Sequence, residues 1–156
     1  MTDTYLTRAG FEKLKKDLAA LMKQKTQLSA DIGEAREKGD LKENAEYHSA
    51  KEKMGEVMGR IGVIQDKLQG AKIIDDMQTP KDTVAIGMTV TLEDSDGDTV
   101  EYTFVGEDES DPMEGRISVT SPLGAGLMGR KVKESVEVQL PNGPRVFKIL
   151  KAARGV

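Results

Sequence analysis

The fold of the N-terminal half is decided by residues 11–38, FEKLKKDLAALMKQKTQLSADIGEAREK, and residues 47–71, YHSAKEKMGEVMGRIGVIQDKLQGA. In both stretches an apolar or small residue recurs at alternating steps of three and four, which is the spacing of a coiled-coil seam. The seam positions are Phe11, Leu14, Leu18, Leu21, Lys25, Leu28, Ile32 and Ala35, then Tyr47, Ala50, Met54, Val57, Ile61, Ile64, Leu68 and Ala71. Only Lys25 among them is charged. The pattern predicts two long amphipathic helices.

Paired in reverse order, the two series predict an antiparallel hairpin. Residue 35 then meets 47, residue 28 meets 54, and the turn falls near Leu41. The end signals agree, since Thr7 is a good N-cap, Gly39 suits a left-handed turn after the first helix, and Gly70 suits the end of the second. Three glycines inside the second helix lie off the seam and should each cost about 1 kcal/mol relative to alanine: Gly55, Gly59 and Gly62.

The chain changes character after Gly70. We expect an extended exit over residues 71–76 and a linker over 77–82, so the predicted domains are 1–76 and 83–156. Short runs of alternating apolar and polar residues, separated by turn sequences, then predict strands: MTVTLE (88–93), TVEYTFVG (99–106), RISVT (116–120), SVEVQL (135–140) and RVFKILK (145–151). One short helix is expected between Ser121 and Gly129. The fold class is α+β, a helical hairpin followed by a small, mainly antiparallel β domain.

Composition excludes several kinds of protein. With no Cys and a single His in 156 residues, Cys-based zinc sites, thiol nucleophiles and most imidazole chemistry are ruled out. An aromatic share of 4% without Trp disfavours stacking platforms for bases, and a net charge of -4 argues against long-range attraction to bare nucleic acid. The N-terminus has no signal pattern and no apolar run approaches the ~18 residues that span a bilayer, so we expect a soluble cytoplasmic protein without a membrane partner.

The predicted turn of the hairpin, residues 34–52, reads EAREKGDLKENAEYHSAKE and is rich in charge. Asp40 and Glu43 are three residues apart and are expected at the start of the second helix, where their carboxylates share one face. Such a pair supplies part of a Mg²⁺ shell, because this ion takes one or two carboxylates and completes its shell with water and phosphate oxygens. On local spacing alone a capping box is favoured, with Asp40 accepting backbone N–H groups and Glu43 reaching back.

Four segments together resemble the GreA/GreB family of bacterial transcript cleavage factors over nearly the whole chain: LTRAGFEKLKKDL (6–18), GDLKENAEYHSAKE (39–52), IIDD (73–76) and SPLGAGLMGRKVKESVEV (121–138). In that family the hairpin enters the secondary channel of RNA polymerase and stimulates the polymerase's own Mg²⁺-dependent cleavage of backtracked nascent RNA. The factor is not itself an enzyme. The resemblance implies an FKBP-like fold for the β domain and a Mg²⁺ shared with the polymerase rather than one bound tightly by the chain. We expect a monomer.

By the same resemblance, four residues of the turn match functional positions of the family. Asp40 and Glu43 match the tip residues that help to hold the second catalytic Mg²⁺ and a water. Arg36 and Lys51 match a basic patch, and Lys38 and Lys42 also lie close enough in the sequence to contact the 3′ end of the nascent RNA. For each of these cations, a solvated charged surface is the alternative.

Further positions are implied as supporting ones. Asn44 and Tyr47 belong to the family's tip signature, although Tyr47 occupies a seam position and is expected in the core first. His48, beside the seam, is expected to be solvated. Ser121 and Pro122 match the region that docks on a coiled coil at the rim of the polymerase channel, with an ordinary strand-to-helix connection as the alternative.

Two other patterns are rejected. The glycines at 124, 126 and 129 fit G-x-G-x-x-G, but the short strands around them do not make a βαβ unit. The aspartates at 94, 96 and 98 lack the glutamate that completes a calcium loop, so S-D-G-D (95–98) is expected to be a hairpin turn. The acid-rich stretch 93–111 is expected to be a solvated loop and edge, with a basic partner as the alternative.

Two other functions remain alternatives at this point. The first is a protein that binds the same channel and modulates the polymerase without cleavage, which the intact acidic pair disfavours. The second is an FKBP-like prolyl isomerase or chaperone, which the scarcity of aromatic residues disfavours because such residues line apolar pockets.

Overall fold

The computed structural model describes residues 3–39 and 44–156. Over these residues the elements are β1 (Thr4–Leu6), α1 (Arg8–Glu37), α2 (Ala45–Gln69), β2 (Ala71–Ile73), β3 (Met88–Glu93), β4 (Thr99–Val105), β5 (Arg116–Ser118), α3 (Pro122–Leu127), β6 (Ser135–Leu140) and β7 (Gly143–Arg154), with 3₁₀ turns at Ile74–Asp76, Glu107–Glu109 and Pro112–Glu114. They form two compact units. Residues 11–70 make the helical unit, and residues 3–10 with 71–156 make the sheet unit.

The helical unit is held together by the predicted seam. The buried residues of α1 and α2 all belong to the two heptad series: Leu28, Ala35, Tyr47, Val57 and Ile61. Leu28, Val57 and Ile61 form one apolar cluster, and Leu18, Leu21 and Met54 pack against it. This cluster contains both members of the predicted pairs 28 with 54 and 21 with 61. The predicted antiparallel hairpin is therefore confirmed.

The start of α1 and the C-terminal ends of α1 and α2 lie where the sequence predicts them. The Thr7 hydroxyl accepts a hydrogen bond from the Gly10 N–H at 3.0 Å, so Thr7 caps α1. Helix α1 ends at Glu37, and Gly39 follows it with a φ of 120°, a backbone conformation that favours glycine. Gly70 caps the end of α2, and its N–H donates to the Asp66 carbonyl at 3.1 Å.

The sheet unit is built on five strands in the order β5-β4-β3-β7-β6. The pairs β3–β4, β3–β7 and β6–β7 are antiparallel, and β4–β5 is parallel. Alternate residues of β3 are buried, as the period of two in the sequence predicts. Ten buried residues form its core: Val84, Met88, Val90, Leu92, Phe104, Leu127, Val136, Val138, Phe147 and Ile149. The α+β class is confirmed, with one short helix, α3, in the expected place. The likeness to FKBP stays a prediction.

Asp94 shapes the turn between β3 and β4. Its side-chain oxygen Oδ1 accepts hydrogen bonds from the Asp96 N–H at 2.9 Å and from the Asp98 N–H at 3.0 Å, and Gly97 has a φ of 84°. A side chain that hydrogen-bonds the backbone two residues later is typical of turns. The aspartates therefore form a hairpin turn, as expected.

The compact units have different bounds from the predicted domains 1–76 and 83–156 with the linker 77–82, and that division stays a prediction. The bounds differ because β1 pairs in parallel with β2, from Thr4 opposite Ala71 to Leu6 opposite Ile73. Both ends of the hairpin sequence therefore belong to the sheet unit. The extended exit predicted for 71–76 is extended only over residues 71–73, because residues 74–76 form a 3₁₀ turn.

Glu109 joins the acid-rich loop to the start of α1. Its carboxylate accepts hydrogen bonds from the Thr7 hydroxyl at 2.7 Å and the Thr7 N–H at 3.2 Å, and Arg116 lies 3.5 Å away. A side chain at Gly10 would overlap this carboxylate, so the glycine leaves room for it. The expectation of a solvated acidic loop is wrong for Glu109, whose side chain is only 12% exposed.

Within residues 3–39 and 44–156, no helix combines the length and the apolar character required to cross a membrane.

Candidate functional site

The acidic pair Asp40 and Glu43, with Lys42, lies outside the described residues. The predicted capping role of Asp40 and the predicted metal ligands therefore stay predictions. Described residues flank this segment on both sides, with Arg36 and Lys38 before it and Asn44, Tyr47 and Lys51 after it. Together these five residues are called the hairpin end.

Asn44 links the two helices at the hairpin end, because the oxygen and the nitrogen of its side-chain amide each form a hydrogen bond. Its Oδ1 accepts a hydrogen bond from the Tyr47 N–H at 3.1 Å, which makes Asn44 the N-cap of α2. Its Nδ2 donates to the carbonyl of Ala35 on α1 at 2.5 Å. The described helix begins at Ala45, after this cap, whereas the sequence placed the start of the second helix at Asp40. Asparagine is among the best N-caps, so the residue type was a signal that could have identified this position.

Lys38 and Glu46 form an ion pair between the two arms. The Lys38 ammonium nitrogen lies 3.0 Å from Glu46 Oε2, and both side chains are more than half exposed. The hydrogen bond to Glu46 is the main cause that raises the pKa of Lys38 above its usual value. Exposed pairs of this kind contribute little to stability. The charge of Lys38, predicted to meet RNA, already has a partner in the free chain.

Tyr47 brings the two cations of the predicted basic patch together. The Arg36 guanidinium carbon lies 5.9 Å from the centroid of the Tyr47 ring, and the Lys51 ammonium nitrogen lies 5.3 Å from it. The His48 ring meets Tyr47 edge to face with the centroids 5.5 Å apart. Interaction of Arg36 with the phenol oxygen is the main cause that lowers the pKa of Tyr47, and Lys51 acts in the same direction against the effect of burial. As expected, Tyr47 is also part of the seam.

The described part of the hairpin end suits an anion better than a metal ion. Arg36 and Lys51 are cations with several N–H donors, the groups that recognise phosphate oxygens. Within residues 3–39 and 44–156, no three acidic or His side chains cluster closely enough to hold a metal ion. Asp40 and Glu43 stay the predicted metal ligands, and their hard carboxylate oxygens are of the type that Mg²⁺ prefers.

Ser121 and Pro122, the predicted docking residues, begin helix α3. The Ser121 hydroxyl accepts a hydrogen bond from the Gly124 N–H at 3.1 Å and donates to the Ser118 carbonyl at 2.6 Å. Ser121 is thus the N-cap of α3, and Pro122 occupies the first helical position, where its missing N–H costs nothing. Pro122 is exposed while Ser121 is half-buried. This geometry leaves Pro122 available for contact and gives Ser121 a structural role.

The glycines after Pro122 have a packing role. A side-chain carbon at Gly124 would overlap the Ser118 carbonyl, and one at Gly126 would lie 2.9 Å from the Val138 side chain. Both glycines let α3 approach the strands closely, which agrees with the rejection of a nucleotide-binding loop.

Comparisons with known proteins agree over both parts of the chain. The family descriptions "Transcription elongation factor, N-terminal" and "Transcription elongation factor, GreA/GreB, C-term" match residues 4–73 and 79–154. Transcription elongation factor GreA of Sphingopyxis alaskensis is 45% identical over 142 residues, covering 91% of this chain and 90% of that protein. The protein of the same name from Syntrophotalea carbinolica is 39% identical over 150 residues, covering 95% of each.

Among solved structures, GreA factor homolog 1 of Thermus thermophilus overlays with a TM-score of 0.45 at 24% identity, covering 97% of this chain and 99% of that one. An overlay at that level adds nothing to the family assignment, which the two sequence comparisons carry by themselves. The chain belongs to the GreA/GreB family of transcription elongation factors.

Proposed function

We propose that this chain binds a transcribing bacterial RNA polymerase, inserts its hairpin end into the secondary channel, and stimulates the polymerase's own Mg²⁺-dependent cleavage of backtracked nascent RNA. The observation that carries the proposal is the family match over both parts of the chain. The position of Asp40 and Glu43 in the sequence supports it, because they stand between Glu37 at the end of α1 and Ala45 at the start of α2.

In this proposal Asp40 and Glu43 supply carboxylate ligands that the polymerase lacks for its second catalytic Mg²⁺. A second catalytic Mg²⁺ in such a centre activates a water and stabilises the oxygens of an in-line displacement. Asp40 and Glu43 would offer carboxylate oxygens to that ion and accept a hydrogen bond from the water. Two solvated carboxylates bind Mg²⁺ weakly by themselves, so the ion is shared with the polymerase rather than carried by the free chain.

The cations of the hairpin end would act on the RNA rather than on the metal. Arg36 and Lys51 lie on opposite arms, and both reach the same Tyr47 ring. We expect them to contact phosphate oxygens near the 3′ end of the backtracked RNA. The net charge of -4 fits this arrangement, since the chain meets RNA only where the polymerase presents it.

The sheet unit would anchor the chain at the rim of the channel. Pro122 is exposed at the start of α3, whose close packing against the strands gives it a fixed position. We expect Pro122 and the neighbouring Ser121 to meet a coiled coil at the rim. The chain would act as a monomer, because one hairpin fills one channel.

A cleavage assay on stalled, backtracked elongation complexes tests the proposal. The complexes, with RNA labelled at the 3′ end, are incubated with Mg²⁺ and the chain, and the released fragments are resolved on a gel. Asp40→Asn and Glu43→Gln should each reduce cleavage at least ~100-fold while still competing with the wild-type chain for polymerase. Glu56→Gln, an exposed acid further along α2, is the matched control and should cleave normally.

The outcomes separate the alternatives. Normal cleavage by the Asp40→Asn, Glu43→Gln double variant would show that the acidic pair does not act on the metal. A wild-type chain that binds the polymerase without causing cleavage would instead be a modulator. A chain that does not bind polymerase but isomerises a prolyl peptide would be an FKBP-like enzyme.

A further inference from the structure

Tyr47 places an aromatic ring against two cations at the hairpin end. Tyr47 fills a seam position and is only 7% exposed, so its ring is fixed by the packing of the hairpin. Arg36 belongs to the last turn of α1, and Lys51 lies one turn beyond Tyr47 on α2. The ring therefore receives one cation from each arm.

The contacts with Tyr47 are of two kinds. The face of an aromatic ring attracts a cation that lies within ~6 Å of its centroid, and both cations lie within that range, at 5.9 and 5.3 Å. Both cations also favour the ionised phenol and so lower the pKa of Tyr47, with Arg36 as the main cause. The ring, which both cations approach, reduces the freedom of two long and flexible side chains.

The charges of Arg36 and Lys51 are not matched by an acid in the described chain. Within residues 3–39 and 44–156, neither residue forms an ion pair, whereas Lys38 nearby pairs with Glu46. Two positive groups beside one ring repel each other, and a ligand with several anionic oxygens would relieve that repulsion. A phosphate group has this chemistry, and arginine and lysine are its usual partners.

We propose that Tyr47 is a positioning residue that braces Arg36 and Lys51 so that phosphate oxygens of the nascent RNA meet both cations together. The identity of the phosphate rests on the proposed function, whereas the bracing is a property of the free chain. Bracing favours binding because less side-chain freedom is lost when the ligand arrives.

Side-chain NMR of the full chain tests the bracing without polymerase. With ¹⁵N-arginine labelling, the Arg36 Nε–H signal is assigned by its loss in Arg36→Lys. Its heteronuclear NOE should be high in the wild type and in Tyr47→Phe, which keeps the ring. In Tyr47→Leu, which keeps an apolar seam residue, it should fall to the value of the exposed Arg60.

Phe11→Leu is the matched control for this NMR experiment. Phe11 lies at the other end of the seam and has Lys15 over its ring at 5.6 Å, so the variant removes a similar aromatic–cation pair elsewhere. It should leave the Arg36 signal unchanged. If Arg36 is as mobile in the wild type as in Tyr47→Leu, the bracing does not exist.

A double-mutant cycle in the cleavage assay tests the link to RNA. The half-saturating concentration of the chain is measured at several salt concentrations for three variants: Tyr47→Leu, the pair Arg36→Gln with Lys51→Gln, and all three changes together. Tyr47→Leu should lower the log–log salt slope by roughly 1 to 2, since each lost phosphate contact lowers it by roughly 1. Tyr47→Leu should not lower the slope further when Arg36→Gln and Lys51→Gln have already removed both cations. Tyr47→Phe, which keeps the ring, should retain most of the wild-type slope.

The two experiments fail in different ways. Additive effects in the cycle would mean that Tyr47 acts only through the seam, and would overturn its positioning role. Equal ellipticity of Tyr47→Leu and the wild type at 222 nm confirms that the comparison is made on folded chains. Absence of cleavage by the wild type would overturn the proposed function, and the NMR result alone would then decide whether Tyr47 braces the cations.

Discussion

Asn44 has a structural role that depends on both ends of one amide group. Its oxygen caps α2 through the Tyr47 N–H, and its nitrogen donates to the Ala35 carbonyl on α1. The capping bond needs an acceptor and the bond to Ala35 needs a donor. An asparagine supplies both on two separate atoms, whereas an ionised aspartate has acceptors alone, and the shorter serine and threonine would have to form both bonds through one oxygen atom.

Substitutions at Asn44 should separate these two bonds. Asn44→Ala removes both and should lower the free energy of unfolding by about 1 to 2 kcal/mol, the usual effect of losing a cap together with a hydrogen bond. Asn44→Asp keeps the cap but turns a second acceptor towards the Ala35 carbonyl, so we expect an intermediate loss. Urea denaturation followed at 222 nm measures the free energy of unfolding of both variants. Ser49→Ala, at an exposed position of α2, is the control. Equal stability of Asn44→Ala and the wild type would contradict the role assigned to this side chain.

Tyr47 should ionise at a lower pH than an ordinary tyrosine. The neighbouring cations, Arg36 first, stabilise the phenolate form and therefore lower the pKa, and burial opposes them without reversing the sign. The difference in absorbance near 295 nm between the wild type and Tyr47→Phe, followed against pH, isolates this group. Arg36→Gln should move the transition to higher pH. A transition at or above the ordinary pKa of tyrosine would mean that the cations do not reach the phenol oxygen.

Helix α2 contains three glycines that its own packing does not require. A Cβ added at Gly55, Gly59 or Gly62 would have no neighbour within 4 Å, and none of the three has a positive φ. Their substitution is therefore limited only by helix propensity, which favours alanine over glycine by about 1 kcal/mol in a helix.

Replacing these glycines by alanine should stabilise the helical unit. We expect each of Gly55→Ala, Gly59→Ala and Gly62→Ala to raise the free energy of unfolding by up to about 1 kcal/mol, measured by urea denaturation at 222 nm. Gly126→Ala is the matched control with the opposite sign, because its new carbon would press on Val138. Destabilisation by any of the three α2 variants would reveal a constraint that lies outside the local packing.

The elements differ in how well the sequence predicts them. The seam is predictable because burial repeats along one helix face, so Leu28, Val57 and Ile61 could be named from their spacing. The bond between Thr7 and Glu109 could not, since it joins residues 102 positions apart and no local pattern marks Glu109. At the hairpin end, the acidic pair and the cations were predicted from a motif. The two hydrogen bonds of the Asn44 side chain depend on how α1 and α2 pack, and a sequence motif carries no information about that packing.

The two compact units have cores of very different size. Among residues 3–39 and 44–156, the helical unit has a cluster of three buried residues, while the sheet unit has a cluster of ten. Each fully buried aliphatic side chain contributes roughly 1.5 to 3 kcal/mol, so the sheet unit has several kcal/mol more to lose when it opens. A long two-helix hairpin with a thin core is therefore expected to open without the sheet.

Hydrogen exchange should reveal this separate opening. Backbone amides of α2 should exchange at least about tenfold faster than those of β3 and β7, because the free energy of local opening depends on the contacts that the opening breaks. Mass spectrometry of peptides from the exchanged protein measures both units in one sample. The combined variant Gly55→Ala, Gly59→Ala and Gly62→Ala should slow exchange in α2 and leave β7 unchanged. If α2 and β7 instead exchange at the same rate and respond together, the chain opens as one cooperative body, and the division into two independently stable cores is wrong.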